Sequence, residues 1–186
     1  MHNHIIETYL DTLKGAIDRI DRQELLNIAR VLREAADRKA AIYICGNGGS
    51  AAMASHFACD LGKGASHGFA RRYHAFALSD NTSTVLAYAN DLSYQEIFVE
   101  QLKNCLREGD VVIGLSGSGN SPNILKAVDY ANQHGGITIG MTGYVDGQLK
   151  HRAQHNVNLN TDHMQIAEDL HLILNHLLVN LLTTEE

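Results

Sequence analysis

The feature that most constrains this chain is a strand that runs directly into a turn of small residues and then into a helix, and it occurs twice. The apolar run Val111-Val112-Ile113 reads as a buried strand. It leads into Gly114-Leu115-Ser116-Gly117-Ser118-Gly119-Asn120-Ser121-Pro122, and Ile124-Leu125-Lys126-Ala127-Val128 then reads as a helix. Ser121 is a good N-cap and Pro122 suits the first helical position. Earlier, Ala40-Ala41-Ile42-Tyr43-Ile44-Cys45 runs into Gly46-Asn47-Gly48-Gly49-Ser50 and a helix over 51–61. Small residues let the backbone approach a ligand closely, and a helix start attracts anions. Three serine hydroxyls at such a start point to a phosphate.

The rest of the chain extends this alternation. Further strands are predicted at 74–78, 137–141 and 156–159, with those at 40–45 and 111–115 making five. Helices are predicted at 82–89, 94–106 and 165–182, with Asn90-Asp91 as a turn between the first two. Such an order gives an α/β domain with a parallel sheet and helices on both faces. Ligands of such sheets sit beyond the carboxyl ends of the strands, where both glycine turns lie.

Residues 3–38 read as two amphipathic helices. Asp21 is placed as N-cap of the second, with Glu24 completing a capping box. Their apolar faces must pack on the domain or on another subunit. Gly64–Gly68 reads as a mobile loop.

With 186 residues, one domain spanning 1–186 is expected: the helices of 1–38 and an α/β core of 39–186. The net charge of −6 and the lack of a basic stretch argue against nucleic acid. Three cysteines without a C-x-x-C pair suit a reducing cytosol. Met1-His2-Asn3-His4 lacks the apolar core of a signal peptide, and no apolar run reaches transmembrane length. A cytoplasmic protein without membrane contact is expected.

Several site patterns fail. The run from Gly46 lacks the third glycine and the downstream acid of a dinucleotide fingerprint, and the P-loop pattern is absent. The turn at Ser116 misplaces a glycine for a nucleophile elbow, so a hydrolase is not expected. His56 and Asp60 are four apart on a predicted helix and share a face. Glu168 and His176 are about two turns apart on the last helix. Two carboxylates and two imidazoles in apolar helices make a reasonable set for Zn²⁺ or another divalent metal. Glu168 and His171 also have a metal-ligand spacing, so His171 is open as a substitute or support for His176. His2, His4, His67, His74, His151, His155 and His163 are read as surface or polar-loop residues.

The two turns together resemble the sugar isomerase (SIS) domain. The resemblance tightens at Cys45–Ala51, at His56-Phe57-Ala58-Cys59-Asp60-Leu61, at Ser83, Asn90-Asp91, Tyr94 and Ile97-Phe98, and at Met141-Thr142-Gly143. In these it is similar to the bacterial phosphoheptose isomerases, over nearly the whole chain. The resemblance implies an aldose–ketose isomerase acting on a phosphorylated sugar, sedoheptulose 7-phosphate above all, in a homotetramer with sites at subunit boundaries. It implies that Ser116, Ser118 and Ser121 hold the phosphate, with Gly117 in the same loop where the family has Thr. Asn47, Gly48 and Ser50 would line the sugar's entrance and Asp91 would contact the substrate. The family carries an Arg shortly after the histidine-bearing helix; here Lys63 stands one residue early, and Arg71 or Arg72 is the candidate substitute. Asp60 and His176 would be the acid–base pair, and His56, Asp60, Glu168 and His176 the metal set. At two of these positions the family has other residues, Glu at 60 and Gln at 168. The resemblance also admits a non-catalytic regulator of replication initiation, or an isomerase for another phosphosugar.

Overall fold

The computed structural model of the chain describes residues 2–184. Its order is α1 (His2–Asp18), α2 (Arg22–Asp37), β1 (Ala41–Gly46), α3 (Gly49–Cys59), a π-helical turn at Asp60–Gly64, β2 (His74–Ala77), α4 (Thr82–Asp91), α5 (Val99–Cys105), β3 (Val111–Ser116), α6 (Pro122–Gln133), β4 (Ile137–Thr142), α7 (Leu149–Arg152), β5 (His155–Asn158) and α8 (Met164–Thr183). The five strands form one parallel sheet in the order β2-β1-β3-β4-β5.

That order decides where the two glycine turns meet. From β1 the chain moves outward to β2, then returns to the other side of β1 as β3. The strand order therefore reverses between β1 and β3, the place where open α/β sheets bind ligands. Gly46 pairs with Leu115 in register, so both turns leave the sheet side by side.

Strand residues alternate between two apolar layers, as a period of two requires. Ile42, Ile44, Val111 and Ile113 pack with α2, α3 and α8. Tyr43, Cys45 and Val112 pack on the other face with α5 and α6. α8 buries Leu170, Leu174 and Leu178 on the first face, and His171 and Asn175 with them.

Several expectations are corrected. Asp21 does cap α2, accepting from the N–H groups of Gln23 and Glu24 at 3.0 Å each. Glu24 does not complete the box: its carboxylate accepts from Asn27 and faces His155 Nδ1 at 3.0 Å, a half-buried pair. The helix expected over 51–61 starts at Gly49 and stops being α at Cys59. A wider turn follows, over a run holding two glycines. Asn90 and Asp91 end α4, and only residues 99–105 of the next predicted helix are α-helical. The segment read as a mobile loop is tied down: buried Ser66 donates to Leu61 O at 2.8 Å and accepts from Tyr73 N at 3.0 Å. The short helix α7 has no counterpart in the sequence reading. On α1, Ile5, Ile6 and Leu10 remain exposed while Tyr9 and Leu13 pack on the core. Among the described residues no helix is long and apolar enough to cross a membrane.

Candidate active site

The turn after β3 brings its three serines together. Ser116 Oγ lies 3.3 Å from Ser121 Oγ and 3.5 Å from Ser118 Oγ. Ser116 is buried, and the other two are half-buried at the surface end of the cluster. The carbonyls of the turn are engaged from behind. Gly117 O accepts from Gly143 N and Tyr144 N, and Gly119 O from Leu149 N, at 2.8–3.0 Å. Asn120 adds a bond from Gln148 N at 3.1 Å. Ser121 sits at the N-cap with Pro122 behind it, yet its side chain makes no cap bond to α6. Its hydroxyl belongs to the serine cluster instead.

Gly117 has a neighbour that a side chain would disturb. A β-carbon there would lie 2.4 Å from Met164 Sδ at the start of α8. The thioether fills the space beside the turn that a larger residue at position 117 would take.

The turn after β1 is clamped to the serine turn by an amide pair. Asn47 Nδ2 donates to Asn123 Oδ1 at 3.0 Å, and Asn123 Nδ2 to Asn47 Oδ1 at 2.8 Å. Tyr94 OH donates to the same Asn47 oxygen at 2.8 Å. Gly48 adopts φ +53°, and Ser50 is buried in the first turn of α3. Asp91 is exposed and accepts from Asn90 at 2.8 Å; the residue that reaches the glycine turn from this region is Tyr94. Asn123 was missed in the sequence, although its place one residue after Pro122 puts it in the first turn of a helix beside the serines.

A second cluster sits at the far end of α3. His56 Nε2 lies 3.2 Å and His176 Nε2 3.8 Å from the same oxygen, Asp60 Oδ2. The two ring nitrogens are 3.4 Å apart. All three ligand atoms fall within 4.8 Å of one another. Two imidazole nitrogens and one carboxylate oxygen converging at a partly open surface fit a divalent cation. Asn175 Nδ2, also absent from the sequence reading, donates to Asp60 Oδ2 at 2.8 Å.

Glu168 is not brought into this group. Its carboxylate lies against Gly49, where a β-carbon would meet Oε1 at 2.4 Å. The reason is helix geometry. Eight residues along α8 span about 12 Å, so Glu168 faces the start of α3 while His176 faces its end. A carboxylate at the α3 N-terminus is favourably placed against the helix dipole. His171 is not in the group either. It is buried, burial lowers its pKa to about 4, and both ring nitrogens lack a hydrogen-bond partner. Lys63, Arg71 and Arg72 are exposed, and Arg71 pairs with Asp37 at 2.8 Å.

The SIS domain model matches residues 8–143. The chain belongs to the SIS domain family. A probable phosphoheptose isomerase of Thermoplasma acidophilum is 35% identical over 172 residues, covering 91% of this chain and 93% of the relative. A phosphoheptose isomerase of Helicobacter pylori is 34% identical over 169 residues, covering 90% and 86%. The solved phosphoheptose isomerase of Neisseria gonorrhoeae superposes with a TM-score of 0.87 at 26% identity, over 97% of each chain. Within the SIS family the chain is thus related to phosphoheptose isomerases. The family match ends just after β4, whereas the superposition on the Neisseria gonorrhoeae enzyme, which covers 97% of this chain, extends the likeness into α8, which carries Glu168 and His176.

Proposed function

We propose that the chain is a phosphosugar aldose–ketose isomerase that interconverts sedoheptulose 7-phosphate and a heptose 7-phosphate. The observation that carries this reading is the convergence of Ser116, Ser118 and Ser121 at the reversal of strand order, in a chain related to phosphoheptose isomerases.

In this reading the serine hydroxyls bind the phosphate and hold one end of an open-chain sugar. Gly117 keeps the backbone close to that phosphate. Asn47, Gly48 and Ser50 line the approach, and Asp91 contacts the sugar from the end of α4. Asp60 and His176 form the acid–base pair. One takes the proton from the carbon beside the carbonyl, which gives an enediol(ate), and the proton returns to the neighbouring carbon. The other serves the oxygens as their protons move. His56, Asp60 and His176 would hold zinc or another divalent cation, and a bound cation supplies Lewis acidity toward the carbonyl. Glu168 faces the start of α3 from the same helix as His176.

The reading includes a homotetramer with its sites at subunit boundaries. The exposed Ile5, Ile6 and Leu10 of α1 support a covering subunit there. It also includes a cytoplasmic location, which the free thiols of Cys45, Cys59 and Cys105 support.

The test is a panel of C5 to C7 sugar phosphates, assayed for ketose–aldose interconversion with and without Zn²⁺. Turnover of sedoheptulose 7-phosphate, increased by Zn²⁺, is expected. Phosphosugar binding with no interconversion of any member overturns the enzymatic reading.

A further inference from the structure

We infer that Asn175 is a positioning residue, which fixes the Asp60 carboxylate at the point where His56 and His176 converge. The inference rests on the proposed acid–base and cation-binding role of those three residues.

Asn175 is fully buried on the core side of α8, with the buried leucines Leu174 and Leu178, where the helix packs on α2, α3 and the π-helical turn. Its Nδ2 donates to Asp60 Oδ2 at 2.8 Å. That oxygen is the one both imidazoles face. The other end of the amide, Oδ1, is buried with no hydrogen-bond partner. A buried polar atom without a partner is a cost to stability. An aliphatic residue of similar volume would remove that cost and suit the leucine-rich face. What the amide provides is the bond to Asp60.

Asp60 needs such a bond because of where it sits. It is the first residue of the π-helical turn, at the point where regular α3 ends. A short carboxylate has two staggered ways to leave the helix, and a fixed donor on α8 selects the one that brings Oδ2 to both rings. Asn175 is next to His176 in sequence, so one turn of α8 delivers both the imidazole and the donor that orients its carboxylate partner. An outer hydrogen bond of this kind commonly changes metal affinity tenfold or more.

The test is a Co²⁺ titration of the full chain, followed by visible absorbance, on wild type and Asn175→Leu. Thermal midpoint and inorganic phosphate binding are measured on the same samples. The expected result is a loss of about tenfold or more in Co²⁺ affinity, with phosphate affinity unchanged and the thermal midpoint equal or higher. Equal Co²⁺ affinity in the two chains overturns the inference, as does a parallel loss of Co²⁺ and phosphate binding, which marks general damage. If the leucine variant fails to fold, Asn175→Ala, which opens space, is read in the same way. A wild-type chain that binds no Co²⁺ counts against the cation reading itself. The positioning claim is then decided on the same metal-free chain by NMR: the Asn175 side-chain amide resonances shift in Asp60→Ala if the bond exists, and unmoved resonances overturn it.

Discussion

Asn47 and Asn123 exchange two side-chain hydrogen bonds, of 3.0 and 2.8 Å, across the gap between the two glycine turns. One residue follows β1 and the other opens α6, yet register brings the ends of β1 and β3 side by side. The pair makes one rigid mouth from two turns that are 76 residues apart in sequence. Replacing Asn123 by leucine leaves half-buried Asn47 without this partner. The expected cost is about 1–3 kcal/mol of unfolding free energy, with weaker phosphosugar binding. Urea unfolding and calorimetric titration measure the two.

Ser121 separates capping from binding. Its side chain does not cap α6 but joins the serine cluster. Ser121→Ala should therefore leave stability within about 0.5 kcal/mol, where loss of a true N-cap costs about 1 kcal/mol. Phosphosugar affinity should fall about tenfold or more, as expected for a lost hydrogen bond to a charged group. A drop in thermal midpoint with affinity intact would falsify this division.

Asp60→Asn should abolish isomerisation while phosphate binding persists. The serine cluster and the His56–Asp60–His176 group are built from different elements, so one can fail alone. Turnover and inorganic phosphate binding on the same preparation check this. Normal turnover in Asp60→Asn removes Asp60 from the acid–base pair.

His171 ties stability to pH. Burial holds its folded-state pKa near 4, below the usual 6.5. Above about pH 7 the ring is neutral in both folded and unfolded chains, so pH has no effect through it. As pH falls below 6.5 the unfolded chain takes up a proton that the folded chain does not, and stability declines until about pH 4. The full loss is roughly 3 kcal/mol. His171→Leu should flatten the stability profile between pH 7 and 4 in denaturant titrations. An unchanged slope would show that the ring protonates in the folded chain as readily as in the unfolded one.

The sequence by itself determined the layers and the first half of the site. Apolar runs ending in small residues marked the strands, and all five appear within one or two residues of their predicted bounds. Ser116, Ser118 and Ser121 were legible because they lie within six residues, where the turn alone sets their spacing. His56 and Asp60 were legible for a similar reason, one helical turn apart on the same face. The limits of such local rules are visible at Glu24, which has the spacing of a capping box but turns to His155 in β5.

Tertiary structure decided everything that depends on how α8 lies against α3. The sequence groups Glu168 and His176 with His56 and Asp60, and leaves His171 open as a substitute or support for His176. The packed helices send His176 to the end of α3, Glu168 to its start and His171 into the core. The partners of Asn123 and Asn175 were likewise hidden: Pro122 places Asn123 beside the serines, but nothing local in the sequence signals that it meets Asn47, or that Asn175 meets Asp60. Strand register and helix packing are properties of elements far apart in the chain, and those contacts select which of several chemically similar side chains reach one point in space.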